Sequence, residues 1–224
     1  MRLLLFDIDH TLIDSRGAGR AAMEIAATRQ YGPAEWMQSI PVDGRTDRAI
    51  FEEILGRHGV RADEMEPALA AFVDIYLNAL PRTLEERRGH VLTGVAELII
   101  ALEHEDAMLG LGTGNVRAGA RIKLEYFGLW HRFADGGFGD CETDRQHVIV
   151  AGIRALTARA GTEAGGAVVL GDTPFDIRAA HDAGARAVGV ATGGYDIDAL
   201  TAAGADAALP DLADTRRALE ALLG

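Results

Sequence analysis

The sequence contains a single cysteine, a single lysine and no long hydrophobic run. With Cys141 alone among 224 residues, no disulfide bond can form within the chain. The apolar start, Leu3 to Ile8, is too short for a signal-peptide core, and no run approaches the roughly 18 apolar residues of a membrane span. These absences predict a soluble, cytoplasmic protein without a membrane partner.

Positive charge is also scarce. Lysine and arginine together number 22 against 34 acidic residues, which gives a formal net charge of −12, and Lys123 is the only lysine. Nucleic-acid binding depends on basic residues that neutralise phosphates, and no basic stretch here is long enough to follow a phosphate backbone. We therefore expect no nucleic-acid partner. The protein is expected to be a monomer or a homodimer. A site for an anionic ligand would need locally placed cations or a metal ion.

Apolar runs typical of buried parallel strands recur along the chain. They are LLLF near the start, AMLGLG at 107–112, GAVVLG at 166–171 and ARAVGVA at 185–191. Stretches with the apolar spacing of helices separate the later runs. Strands that alternate with helices predict an α/β fold, with a Rossmann-like parallel sheet covered by helices on both faces.

The segment 15–87 breaks this alternation, because it shows helical patterns and no convincing strand. Three helices are expected in it, and Pro81 is expected to follow the end of the third. The segment is too long for a loop in a compact domain. We therefore predict an all-helical cap domain at 15–87, inserted into an α/β core domain formed by 1–14 and 88–224.

Carboxylates follow two of the predicted strands. Asp7 and Asp9 end the first strand, and Asp172 and Asp176 lie in GDTPFD, directly after the 166–171 run. Ligands of open α/β sheets bind beyond the carboxyl ends of the strands, so the four carboxylates should converge there. Like charges raise each other's pKa, and a hard divalent cation among them relieves that repulsion. Mg²⁺, held by carboxylates, water and a substrate phosphate, is the natural candidate.

These residues resemble the signature of the haloacid dehalogenase superfamily, in particular its phosphoglycolate-phosphatase-like phosphatases. The family's DxDxT motif is present at 7–11, its strand-end Thr or Ser matches Thr113 in LGTGN, and its GDxxxD motif matches the residues 171–176. The helical segment after the first motif resembles the family's mobile cap. The resemblance covers essentially the whole chain.

The resemblance implies a Mg²⁺-dependent phosphatase that hydrolyses a small phosphorylated metabolite through an aspartyl-phosphate. Asp7 would attack the phosphorus, and Asp9 would protonate the leaving oxygen and later deprotonate the attacking water. Mg²⁺ would be held by Asp7, the Asp9 backbone carbonyl and Asp172. Asp176 would hold a metal-bound water.

The resemblance also implies a phosphate-binding group. The Thr113 hydroxyl and the Gly114 and Asn115 amides would bind phosphoryl oxygens, and Thr11 is counted with the substrate-binding residues.

The third family motif departs from its usual form. A lysine, often followed by proline, normally precedes a helix, whereas FGDCETDRQHVIVAGIRAL contains neither. Arg145, at the start of the predicted helix, is the best-placed replacement and a candidate catalytic residue. Lys123 lies in the helical pattern ARIKLEYFG and is expected at the surface, opposite Ile122 and Leu124, which makes it the weaker candidate.

The cap contains the distinctive stretch GRTDR at 44–48. Arg45 is a candidate for contact with the distal part of the substrate. The alternative is that Arg45 and Arg48 are solvated and pair with Asp43 and Asp47.

Two other functions are compatible with parts of this pattern. A phosphomutase of the same fold, similar to β-phosphoglucomutase, often has Val where Thr11 stands, which favours hydrolysis here. A receiver-type signalling module also phosphorylates an aspartate beside Mg²⁺, but it is about half as long and has no cap. Phosphoglycolate, other sugar phosphates, pyrophosphate and nucleoside monophosphates are all open as substrates.

Overall fold

A six-stranded parallel sheet with helices on both faces forms the larger part of the computed structural model, which describes residues 1–33, 35–161 and 165–224. The order of the strands in this sheet is β5-β4-β1-β6-β7-β8, and β2 pairs with β3 in a separate antiparallel pair. The strands are β1 (Arg2–Phe6), β2 (Ile13–Asp14), β3 (His90–Val91), β4 (Ala107–Gly112), β5 (Gly136–Gly137), β6 (Ala167–Gly171), β7 (Arg186–Val190) and β8 (Ala207–Leu209).

The described residues also form α-helices of 6 to 23 residues. They are α1 (Ala18–Tyr31), α2 (Asp47–Arg57), α3 (Met65–Arg87), α4 (Val95–Leu102), α5 (Arg117–Tyr126), α6 (Arg145–Ala160), α7 (Pro174–Asp182), α8 (Ile197–Ala202) and α9 (Thr215–Leu223). No helix among the described residues is long and apolar enough to cross a membrane.

The central strand β1 is buried on both faces of the sheet. Leu4 and Phe6 belong to the hydrophobic cluster on one face, and Leu3 and Leu5 belong to the cluster on the other. Alternate residues of a strand point to opposite faces, so a continuous apolar run is what a strand covered on both sides requires. The four apolar runs are strands β1, β4, β6 and β7, and the predicted α/β fold is confirmed.

Helices α1, α2 and α3 pack around a hydrophobic cluster of their own. Its centre is Phe51, whose ring centroid lies 5.0 Å from that of Phe72 and 5.2 Å from that of Tyr76. The chain leaves and rejoins the sheet domain through β2 and β3, where Ile13 pairs with Val91. The exact limits of a cap domain at 15–87 stay a prediction.

The prediction that the third helix ends before Pro81 is wrong, because α3 continues through Pro81 to Arg87. A proline inside a helix removes one backbone hydrogen bond and costs about 3 kcal/mol. Leu80 and Leu84 are both fully buried, so the helix is packed against its neighbours on both sides of the proline. Tertiary packing of this kind maintains the helix in spite of the local cost.

Candidate active site

The carboxyl ends of β1, β4 and β6 meet at one edge of the sheet, below a cavity of about 480 Å³. The sheet side of the cavity wall includes Asp7, Asn115 and Asp172, one residue from each of the three strand ends. The opposite wall comes from the helical segment and includes Met23 and Ile50. The cavity therefore lies between the sheet edge and helices α1 and α2.

Three buried carboxylates form a cluster at the base of this cavity. One oxygen each of Asp7, Asp172 and Asp176 lie within 4.8 Å of one another. Thr173 caps α7 and orients Asp176, because its backbone N and its Oγ1 donate to Asp176 Oδ2 at 3.0 and 2.7 Å. Asp176 Oδ1 is buried as well, and it faces the Arg145 guanidinium at 2.6 Å.

The cluster carries more negative charge than the surrounding protein neutralises. Burial raises the pKa of Asp172 well above its usual value, and the neighbouring Asp176 and Asp7 raise it further. Burial also raises the pKa of Asp7, although Arg145 opposes the shift. Three hard oxygen ligands within 4.8 Å of one another, and the unfavourable ionisation of Asp172 and Asp7, together fit a divalent cation such as Mg²⁺.

Arg145 is the one basic side chain that an ion pair joins to this cluster among the described residues. It is the first residue of α6, directly after the capping residue Asp144, and it is buried. Its Nη2 lies 2.8 Å from Asp7 Oδ1 and 2.6 Å from Asp176 Oδ1. Burial disfavours its charge, but Asp176 and Asp7 outweigh this and raise the pKa of Arg145 above its usual value.

The expectation that Lys123 lies at the surface is wrong. Lys123 is only 4% exposed, and its Nζ donates to Asp9 Oδ2 and to Asn115 Oδ1, both at 2.6 Å. Helix α5 packs against α3, so the face that carries Gly119 and Lys123 is turned inward. Two features of the sequence could have indicated this position. Lys123 is the only lysine in a chain rich in arginine, and it lies four residues after Gly119, on the same face of the helix.

Asp9 has surroundings quite different from those of Asp7. Besides Lys123, Asn115 Nδ2 donates to Asp9 Oδ2 at 3.0 Å and Ser15 Oγ donates to Asp9 Oδ1 at 3.1 Å. Desolvation alone would raise the pKa of Asp9, but Lys123 and Asn115 hold it below its usual value. The Asp9 carboxylate is therefore ionised and held by three donors, apart from the acidic cluster.

The loop after β4 is held by its own side chains. Thr113 is buried, and its Oγ1 accepts from the backbone N and the Nδ2 of Asn115 at 3.3 and 2.9 Å. Gly114 lines the cavity, and a Cβ there would lie 2.2 Å from the Arg45 backbone oxygen, so only glycine fits. Thr11 is also buried, and its hydroxyl has no partner among the described residues. Neither threonine is part of the cavity wall.

Arg45 lines the cavity, but its guanidinium is already engaged within the helical segment. It contacts Glu53 Oε2 at 2.6 Å and donates to the Pro41 and Ala49 carbonyls at 3.0 and 3.2 Å. Arg48 pairs with two glutamates, Glu52 one turn further along α2 and Glu66 at the start of α3. The predicted pairing of the two arginines with Asp43 and Asp47 is therefore wrong.

Sequence reasoning also missed a contact between the helical segment and the loop after β4. The Asp47 backbone N donates to the Gly114 carbonyl at 2.7 Å, and the Val116 backbone N donates to Asp47 Oδ2 at 2.9 Å. Burial raises the pKa of Asp47 to about 6, although Lys123 opposes the shift. Nothing in the local pattern distinguished Asp47 from a solvated residue at a helix start.

Proteins of similar sequence include phosphatases. A family model described as haloacid dehalogenase-like hydrolase matches residues 4–190. The probable phosphatase IndB of Dickeya dadantii is 29% identical over 99% of this chain and 94% of its own length. The phosphoglycolate phosphatase of Rhodospirillum rubrum is 29% identical over 95% of this chain and 88% of its own length.

Solved structures show the same fold. A hydrolase from Pseudomonas syringae superposes with a TM-score of 0.73 at 23% identity, over 98% of both chains. A structure described as a predicted phosphoglycolate phosphatase from Haemophilus somnus superposes with a TM-score of 0.70 at 21% identity, over 96% of both chains. Since the family model spans most of the sequence, this chain belongs to the haloacid dehalogenase-like hydrolases.

Proposed function

We propose that this hydrolase is a phosphatase that cleaves the monoester of a small phosphorylated metabolite, with Mg²⁺ as cofactor, through an aspartyl-phosphate on Asp7. The contrast between Asp7 and Asp9 carries the proposal. Asp7 lies beside Arg145 in a cluster that fits a divalent cation, and such positive charge allows a carboxylate to approach a phosphate. Asp9 also lines the cavity, where separate donors fix the direction of its carboxylate, and a group that transfers protons needs such fixed geometry.

In the first step an oxygen of Asp7 attacks the phosphorus, and the bond from phosphorus to the ester oxygen breaks. Asp9 protonates the departing oxygen. Asp9 is ionised in the free protein, so it takes up a proton before this step, and the water of the second step replaces that proton. In the second step Asp9 takes a proton from water, which attacks the phosphorus and releases phosphate and the Asp7 carboxylate.

The other residues of the cavity stabilise charge. Mg²⁺, bound by Asp7, Asp172 and the Asp9 backbone carbonyl, with Asp176 acting through water, would offset the repulsion between carboxylates and phosphoryl oxygens. Arg145 adds a fixed positive charge beside Asp7. The Gly114 and Asn115 amides at the end of β4 bind phosphoryl oxygens, and Thr113 supports that loop from behind.

The size of the cavity supports a small substrate. A volume of about 480 Å³ is in the range of sites for small molecules, and helices α1 and α2 cover one side. The segment 15–87 would act as a lid that closes over the ester and excludes water. The curated relatives are phosphatases by name, and one is named for phosphoglycolate, which places that compound first in a panel of metabolites.

The test is hydrolysis of p-nitrophenyl phosphate with Mg²⁺, followed by phosphate release from a panel of phosphorylated metabolites. Asp7→Asn should lower kcat/KM by about 10³-fold or more, because the nucleophile is lost. EDTA should abolish turnover and Mg²⁺ should restore it. The control is Asp63→Asn, which changes an exposed aspartate that pairs with Arg61 in the helical segment and should leave turnover unchanged.

Three outcomes would contradict the proposal. Full activity of the Asp7→Asn protein would show that Asp7 is not the nucleophile. A stable phosphoprotein with one equivalent of phosphate and no turnover would indicate a receiver-type module. Isomerisation of a hexose phosphate, without release of inorganic phosphate, would indicate a phosphomutase.

A further inference from the structure

Lys123 is a buried cation that the reaction described above does not use. Its ammonium donates to two acceptors on different strand ends, Asp9 Oδ2 after β1 and Asn115 Oδ1 after β4. With its oxygen bound to Lys123, the Asn115 amide directs its Nδ2 to Asp9 Oδ2 and Thr113 Oγ1. One ammonium therefore fixes the orientation of both side chains.

The site is built for a lysine. All the other 21 basic residues counted with it are arginines, whose guanidinium is a wide planar fork rather than a compact point charge. A Cβ at Gly19 would lie 3.3 Å from Lys123 Nζ and 3.5 Å from its Cε, which is tight packing. Glycine inside a helix costs about 1 kcal/mol relative to alanine, and here it leaves room for the lysine chain.

Two helices of the lid cover the ammonium. Gly19 belongs to α1 and Tyr76 belongs to α3, and the Tyr76 hydroxyl lies 3.9 Å from the same Gly19 Cβ position. Tyr76 is fully buried, and its hydroxyl has no hydrogen-bond partner among the described residues. Water is thus largely excluded from the ammonium, and an ion pair shielded from water is stronger than an exposed one.

We propose that Lys123 is a positioning residue, which holds the Asp9 carboxylate and the Asn115 amide in the arrangement needed for proton transfer to the leaving oxygen. This inference rests on the proposed phosphatase function. Lys123 reaches the cavity wall, but both of its hydrogen bonds go to Asp9 and Asn115, so it acts through these two side chains. Since α1 and α3 cover it, the arrangement is complete only when the helical segment is closed over the sheet.

The first test compares leaving groups in the Lys123→Met protein. Proton transfer matters for an aliphatic phosphate such as glycerol phosphate, and much less for p-nitrophenyl phosphate, whose nitrophenolate leaves without a proton. We expect kcat/KM to fall about 10²-fold for the aliphatic ester, within the usual range for general acid catalysis, and only several-fold for the nitrophenyl ester. Most of the loss should appear in kcat rather than in KM.

The matched control is Arg121→Met, which removes a positive charge from the same helix. Arg121 is exposed and pairs with Glu125, so its loss should leave both esters unaffected. Equal losses on both esters in Lys123→Met, or no loss on either, would overturn the inference. If Asp7→Asn stays active, the proposed function fails; if Asp7→Asn is inactive and the Lys123 and Arg121 variants behave alike, only the role of Lys123 fails.

A second test does not depend on activity. Because the chain has one lysine, a tag-free sample labelled with ¹⁵N-lysine gives a single side-chain ammonium signal. We expect slow hydrogen exchange for this signal and a shift away from that of free lysine, both lost in Asp9→Asn and both kept in Asp63→Asn. A signal at the free-lysine position that Asp9→Asn leaves unchanged would overturn the inference.

Discussion

Asp7 and Asp9 follow the same strand and are two residues apart, yet different helices determine their surroundings. Arg145 of α6 and Asp176 of α7 flank Asp7, and the pKa of Asp7 is raised by burial. Lys123 of α5 contacts Asp9, and the pKa of Asp9 is lowered. The helices thus give two chemically identical residues different surroundings, an acidic cluster with an arginine around Asp7 and a lysine ammonium beside Asp9, which are those of the proposed nucleophile and proton carrier. The helical segment takes part on the Asp9 side, because its Gly19 lies against Lys123.

Arg145→Met should have the largest effect among the remaining variants. Arg145 contacts Asp7 and not Asp9, so its loss should lower kcat/KM about 10²-fold for p-nitrophenyl phosphate and for an aliphatic phosphate alike. Steady-state kinetics on the two esters measures this, with Arg159→Met as the control because Arg159 is an exposed residue of the same helix. A loss confined to the aliphatic ester would show that Arg145 acts together with Asp9, and it would contradict the contrast between the two aspartates.

Asp47→Asn provides a comparison for Asp9, whose carboxylate accepts a hydrogen bond from Lys123 and has a lowered pKa. Asp47 is buried near Lys123, yet its pKa is raised from 3.8 to about 6. The folded state therefore holds this proton more tightly than the unfolded state does, and the free energy of unfolding falls as pH rises from about 4 to about 6. The asparagine variant escapes this loss, so it should be more stable than the parent by up to about 3 kcal/mol at neutral pH.

Urea unfolding near pH 4 and near pH 7.5 measures the difference for Asp47→Asn. Near pH 4 the two proteins should have similar free energies of unfolding, because Asp47 is then protonated in the folded state. A constant difference between the variants at the two pH values would show that Asp47 ionises without cost.

The smallest effect is expected from Arg45→Ala. The residue lines the cavity, but Glu53 and two backbone carbonyls already engage its guanidinium. We expect KM for the best metabolite to rise several-fold, while kinetics on p-nitrophenyl phosphate stay unchanged. Equal changes on both substrates would show that Arg45 stabilises the helical segment instead of recognising the distal part of the substrate.

The sequence predicted those features that local pattern determines. Buried parallel strands leave continuous apolar runs, and strand ends place Asp7 and Asp172 at one edge, so the sheet and the acidic cluster could be foreseen. Lys123 could not be placed, because the inward face of α5 depends on how α3 packs against it. Pro81 was misjudged for a related reason, since packing on both sides maintains a helix that propensity alone would end.

The two hydrogen bonds between Asp47 and the loop after β4 have a consequence for protein engineering. Through Asp47, the helical segment proposed as a lid contacts the Gly114 carbonyl and the Val116 amide, in the loop proposed to bind the phosphoryl group. A chimera that receives its lid from another protein must therefore supply a hydrogen-bond acceptor at position 47, or the loop loses a partner whenever the lid closes. Exchange of specificity between relatives is thus constrained at a position that need not touch the substrate.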